Sequence, residues 1–132
     1  MITVDLALRL RAAGLEWTPS SGDRFVIADR DMDADVFVVS ELTIDVHEAP
    51  TGRLIRFNGT TEWALDSLEQ EAVVWLPYEG QLRDLLGDRF RRLEPVGDGF
   101  AVVTEVAGRE VREIDTDAER AYARALLSVL AG

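Results

Sequence analysis

The stretch Glu41-Leu42-Thr43-Ile44-Asp45-Val46-His47-Glu48-Ala49-Pro50-Thr51-Gly52-Arg53-Leu54-Ile55-Arg56-Phe57-Asn58 decides the fold class. Leu42, Ile44 and Val46 alternate with Glu41, Thr43, Asp45 and His47, the period-two pattern of a half-buried strand. Ala49 to Gly52 puts proline second and glycine fourth, as a type I turn prefers. A return strand over 53–58 then closes an antiparallel hairpin. The apolar sets choose its register: Val46 faces Ile55 and Ile44 faces Phe57, so Asp45 meets Arg56, His47 meets Leu54 and Glu48 meets Arg53. A slip of one residue would mix the two faces, which a period of two penalises.

Towards the N-terminus, Thr3 is placed to cap a first helix, with Asp5 favoured in its first turn. Leu6, Leu10 and Ala13 fall on one face, Gly14 supplies the left-handed stop, and Leu15 can pack back on the last turn. Residues 17–22 read as loop and Arg24 to Ala28 as a strand. Asp29 to Asp35 is an acidic turn, and the β pattern resumes at Val36.

Beyond the hairpin, Asn58-Gly59 breaks the strand. Thr60 or Thr61 then caps a short helix through Trp63, Ala64, Leu65 and Leu68, although Thr61, Trp63 and Leu65 also alternate like a strand. Ala72 to Leu76 is an apolar strand ended by Pro77. Tyr78 to Leu86 is helical, with Leu82, Leu85 and Leu86 inward and Gly87 as its stop. Phe90–Val96 and Phe100–Val106 flank Gly97-Asp98-Gly99, a hairpin signal. Ala107-Gly108 turns into a further strand over 109–114. Thr116-Asp117-Ala118-Glu119 matches a capping box, and Ala118, Tyr122, Ala125, Leu126, Val129 and Leu130 follow at helical spacing. The expectation is a single α+β domain over 1–132. It has a mainly antiparallel sheet, an N-terminal helix, one or two short middle helices and a C-terminal helix.

Composition narrows the chemistry. Hydrophobic residues form 47% of the 132, enough for a core and too many for a disordered chain. The net charge is −11, so a phosphate backbone or an anionic membrane would be repelled; another protein is the expected partner, with no nucleic acid and no membrane. Cysteine is absent, which removes disulfides, thiolate nucleophiles and cysteine-based metal sites. All 14 basic residues are arginine, so a phosphate-loop lysine and Schiff-base chemistry are excluded. Met1 to Asp5 lacks a charged region leading into an apolar run, and no stretch approaches about 18 apolar residues. A cytoplasmic location is expected.

Asp29, Asp31, Asp33 and Asp35 begin like a calcium loop, but Ala34 stands where the sharp turn requires glycine and Ser40 where a bidentate glutamate belongs. They are read as a solvated acidic turn, and no metal or cofactor is expected. His47 is the single histidine, on the same face as Asp45 and Glu41. It would suit a general base, but a place near a hairpin tip favours a solvent-facing strand residue. Glu62, Asp66 and Glu69 would share one side of the short helix as an exposed acidic face. Trp63, Trp75 and Tyr78, joined by Trp17, read first as core and alternatively as an interface or ligand groove. Arg89, Arg91 and Arg92 form a basic patch that nearby Asp88 and Glu94 can neutralise.

Phe57-Asn58-Gly59-Thr60-Thr61-Glu62-Trp63-Ala64-Leu65-Asp66, Val74-Trp75-Leu76-Pro77 and Gln81-Leu82-Arg83 together carry a resemblance. With Leu8-Arg9, Gly14-Leu15 and Arg24-Phe25-Val26 it covers most of the chain. The sequence resembles a group of short, uncharacterised actinobacterial proteins, some labelled as CpaE-type pilus-assembly proteins. That label implies a ParA-like ATPase with a phosphate-binding lysine, which a lysine-free chain cannot supply. The resemblance implies a small bacterial cytosolic protein and assigns no catalytic residue. The functional expectation is a non-catalytic binding or adaptor protein, with Trp63, Trp75 and Tyr78 as partner-binding residues. The alternative is a small-ligand binder or enzyme using His47 with neighbouring carboxylates.

Overall fold

The computed structural model describes residues 1–27, 36–39, 43–49, 52–58, 67–69 and 73–132; strands 43–49, 52–58 and 67–69 are described by backbone and register. The chain divides into two compact units, residues 1–16 with 76–132 and residues 17–75. The architecture is α+β, with three helices and antiparallel three-stranded sheets among the described residues.

The first unit opens with α1, Val4–Ala12, whose N-cap is Thr3: its hydroxyl accepts from the Leu6 amide at 3.1 Å. Leu6, Ala7 and Leu10 are its buried stripe. Ala13 is exposed, contrary to the expected face, because it is the C-cap and lies past the last helical turn. Gly14, at φ 108°, ends the helix in a Schellman motif: its amide donates to Arg11 O and that of Leu15 to Leu10 O, each at 3.0 Å.

The second unit, residues 17–75, is built on strands. In one sheet, β1 (Arg24–Ile27) lies between β2 (Phe37–Val38) and β6 (Val73–Trp75). Phe25, Ile27, Val39 and Val73 form its core, with Trp17 and Phe37 packed against them. In the other, β3 (Thr43–Ala49) pairs with β4 (Gly52–Asn58) in the expected register, Ile44 with Phe57, Val46 with Ile55 and His47 with Leu54. The pairing continues to Ala49 with Gly52, which leaves only residues 50–51 between the strands.

Residues 67–69 are strand β5, not the end of a helix. Leu68 pairs with Ile55 and Glu69 with Leu54, so these three residues take the strand alternative. The rest of the expected helix, from its capping Thr60 or Thr61 through Trp63, Ala64 and Leu65, and the acidic turn Asp29 to Asp35 lie outside the described residues.

The chain then returns to the first unit. Helix α2, Glu79–Leu86, buries Leu82 and Leu86. Leu85 is 42% exposed, against expectation. Leu82 and Leu86 are about 40° apart around the axis, and Leu85 is displaced to the other side of Leu82, off the stripe. After a 3-10 turn at Gly87–Arg89 comes a sheet of three strands in sequence order: β7 (Phe90–Val96), β8 (Gly99–Val106) and β9 (Arg109–Asp115). The β8–β9 hairpin closes through Ala107 and Gly108, with φ of 52° and 79°. Positive φ at both central residues is the type I′ condition that matches strand twist, and Ala107 meets it without the freedom of glycine. Helix α3, Ala118–Ala131, packs on β8 and β9. Phe90 stacks on Tyr122 at 5.9 Å, and the Arg83 guanidinium sits 3.6 Å from the Phe90 ring centre.

The start of α3 corrects the expected capping box. Its N-cap is Asp117, not Thr116: the Asp117 carboxylate accepts from the Arg120 amide at 3.1 Å. Strand β9 runs through Asp115, so Thr116 becomes the link, and its hydroxyl accepts from Arg120 Nη2. Aspartate caps as well as threonine does, and here it is the residue in register with the first turn. Glu119, one residue short of the box position, instead accepts from the Glu79 amide of α2 at 3.1 Å.

Candidate functional site

The aromatic residues singled out in the sequence are Trp63, Trp75 and Tyr78, with Trp17. Trp63 lies outside the described residues. Trp75, at the end of β6, belongs to the second unit and Tyr78 to the first. Tyr78 is the N-cap of α2, and its backbone amide donates to Gln81 Oε1 at 2.9 Å. The Trp17 ring stacks on Trp75 at 6.4 Å with 11° between the planes. Trp17 also meets Phe25 at 5.8 Å, and Phe25 stacks on Phe37 at 5.5 Å. Both tryptophans remain half-buried.

Asp23 is the hub of the loop that carries Trp17. It is buried, and its Oδ2 accepts from Trp17 Nε1 at 2.9 Å and from the Ser20 amide at 3.0 Å. Its carbonyl accepts from the Val39 amide. The indole of Trp17 is thereby held by its polar end while its face lies against Trp75 and Phe25. Trp75 is the converse: its Nε1 is buried and has no acceptor among the described residues. A buried indole N–H without an acceptor carries a desolvation cost. The sequence hinted at Trp17 as a companion of Trp75, but nothing in its spacing marked Asp23.

The three arginines separate. Arg92 bonds Glu94 at 3.1 Å, as the sequence suggested, and also Glu110 at 3.2 Å. Its hydrogen bonds to Glu110 and Glu94 raise its pKa, and Glu94 is lowered chiefly by its bond to Arg92. Arg91 pairs with Glu105 and donates to the Asp88 carbonyl rather than to its carboxylate. Arg89 is exposed and lines a shallow polar depression with Asp88, Arg91, Glu105, Ala107 and Gly108.

A further cluster joins β9 to α3. Asp115 accepts from Arg120 Nε at 2.8 Å, from Arg124 Nε at 2.9 Å and from the Asp117 amide at 3.1 Å. Burial alone would push its carboxyl up, but the bonds from Arg124, the Asp117 amide and Arg120 outweigh that and hold it at about 2. Glu113 accepts from the Ser128 hydroxyl at 2.6 Å. The i, i+4 spacing of Arg120 and Arg124, just after Asp115, was the signal available in the sequence. Chemically the cluster is a clamp: at neutral pH the carboxylate is ionised with both oxygens occupied, the opposite of a poised proton acceptor.

His47 lies on β3 opposite Leu54 and two positions from Asp45, which is paired with Arg56. Glu41, Glu62, Asp66 and the aspartates of the acidic turn lie outside the described residues. Among the described residues no group of three or more histidine, aspartate or glutamate side chains is placed to hold a metal, and no helix is long and apolar enough to cross a membrane. No family model, curated protein or solved structure matches the chain.

Proposed function

We propose that this protein is a small bacterial cytoplasmic binding or adaptor module that engages another protein through its aromatic residues and performs no catalysis. The observation that carries the reading is the stacked Trp17–Trp75 pair, half-buried and with the Trp75 indole N–H lacking an acceptor among the described residues. Tryptophan combines a large apolar face with a polar handle, the combination that dominates binding hot spots. The Asp23 bond locks Trp17 in place, which lowers the entropy lost on binding. The charged side chains support the same reading. Asp115 and Glu94, carboxylates with lowered pKa, are tied to arginines and stay ionised through the neutral range. Trp63 and Tyr78 are candidate anchors in their own right, and the resemblance to short actinobacterial proteins supports the bacterial, cytoplasmic setting.

The test is affinity capture from the native bacterium with wild type and Trp75→Phe as parallel baits. Phenylalanine keeps an aromatic ring and removes the N–H and part of the surface. The proposal expects a protein enriched by wild type and lost with Trp75→Phe, at melting temperatures that differ little. Equal capture by both baits, or none by either, would overturn it.

A further inference from the structure

The sheet of β7, β8 and β9 has two edges, and they differ. Strand β7 is blunted as natural edges usually are, by a register shift between Phe90 and Arg92 and by Pro95, which has no amide to donate. Strand β9 carries neither device. It pairs with β8 residue by residue from Arg109 to Asp115 without a shift, and no strand among the described residues pairs with its other side. Arg109, Glu110, Arg112 and Ile114 are exposed along it. In an antiparallel ladder hydrogen-bonded and non-hydrogen-bonded pairs alternate. Arg109 closes the two-residue hairpin with Val106, so its backbone groups and those of Val111 and Glu113 turn towards β8. Those of Glu110, Arg112 and Ile114 turn outward.

The charges along this edge are antisymmetric about Val111: Arg109 and Glu110 precede it, Arg112 and Glu113 follow it. We propose that β9 docks a second copy of this chain by antiparallel strand addition, with Val111 on the two-fold axis. In that register Glu110 faces the partner copy's arginine 112 and Arg109 faces its glutamate 113. The axis repeats both pairs, so every charge from 109 to 113 meets its opposite. The outward backbone groups of Glu110 and Arg112 fall on facing residues, where they can exchange the ladder bonds. Side chains directly opposite in such a ladder stand about 4.5–5.5 Å apart at Cβ, close enough to pair.

Neighbouring registers lose this match. A slide of one residue opposes side chains that belong to different faces, which the pleat forbids. A slide of two puts Glu110 or Arg112 on the axis against its own copy, like charge against like. It also sets Val111 opposite Arg109 in one direction and Glu113 in the other. A single register is therefore selected, which charges placed only to repel other edges would not do. Glu110 and Arg112 keep capacity for this second contact beside their bonds to Arg92 and Glu94, since a carboxylate accepts at several lone pairs and a guanidinium donates five hydrogens.

The chain has no cysteine, so one introduced thiol reports the register. Val111→Cys meets its own copy on the axis and is expected to form a disulfide-linked dimer under mild oxidation. Arg109→Cys is the control, because its copy lies about 14 Å away along the ladder, beyond the roughly 7 Å limit for a disulfide. Sedimentation of the cysteine-free protein is expected to show a monomer–dimer equilibrium. Arg109→Glu, which faces the partner copy's glutamate 113, should weaken it by roughly tenfold with the circular-dichroism melt unchanged. A protein monomeric up to about 1 mM, equal cross-linking of the two cysteine variants, or an Arg109→Glu dimer as tight as wild type would each overturn the proposal.

Discussion

Glu94 on β7 accepts a hydrogen bond from Arg112 on β9, Nε to Oε1 at 3.1 Å, although strand β8 runs between them. Arg92 and Glu110 cross the same strand in the opposite sense at 3.2 Å. Beneath these two bridges Ala101 and Val103 of β8 are fully buried, and the register sets Val103 abreast of Arg92 and Arg112. Small residues on the central strand let long side chains from both flanks close over it, so their methylene stems cover the apolar surface while the charged heads stay wet.

Because the bridges are exposed, salt should weaken them. Glu94→Gln is expected to lower the melting temperature in dilute buffer, and the difference from wild type should shrink at about 1 M salt, where the screening length is about 3 Å. Thermal melts at the two ionic strengths check this. A difference that persists undiminished would mean that Glu94 acts through packing rather than charge.

Asp115 should govern part of the acid stability. Its folded pKa is depressed to about 2 from an ordinary 3.8, so its contribution is fully present above the unfolded value and is lost as pH falls from about 4 to 2. Asp115→Asn is expected to destabilise the protein at pH 7 by on the order of 1–2 kcal/mol, less than the whole shift implies because both arginines reach solvent. The same variant should flatten the stability profile below pH 4. Denaturant melts across pH 2–7 measure both effects.

The cap of α3 separates two neighbouring residues. Asp117→Ala removes the acceptor for the Arg120 amide and should cost about 1 kcal/mol. Thr116→Ala should cost less, since its hydroxyl meets only the Arg120 side chain and the Asp115 carboxylate at the surface. Chemical denaturation of the two variants ranks them, and the reverse order would restore threonine as the cap.

Thr104 on β8 is fully buried, and its hydroxyl has no hydrogen-bond partner among the described residues. Thr104→Val replaces that hydroxyl with a methyl group of similar size and should stabilise the fold by about 1 kcal/mol, the desolvation cost that the orphaned group carries. Denaturant midpoints of the two proteins measure the difference, and a loss of stability would reveal a partner for the hydroxyl.

Local chemistry was legible in the sequence where it is complete within a few residues. Thr3 with the Leu6 amide, Gly14 after α1, and the alternation that pairs Ile44 with Phe57 all rest on near neighbours, and a one-residue slip in the hairpin would have exposed its apolar face. Tertiary structure decided the cases in which two local solutions compete. Thr116 and Asp117 are both good caps, and the choice followed from where β9 ends. Residues 67–69 suited helix or strand, and pairing with β4 made them β5. The Asp115 clamp, the Trp17–Trp75 stack and the bridges over β8 join residues that neighbour one another only once the chain has folded. Their energy depends on separations that only the folded chain establishes, which is why no spacing announced them in full.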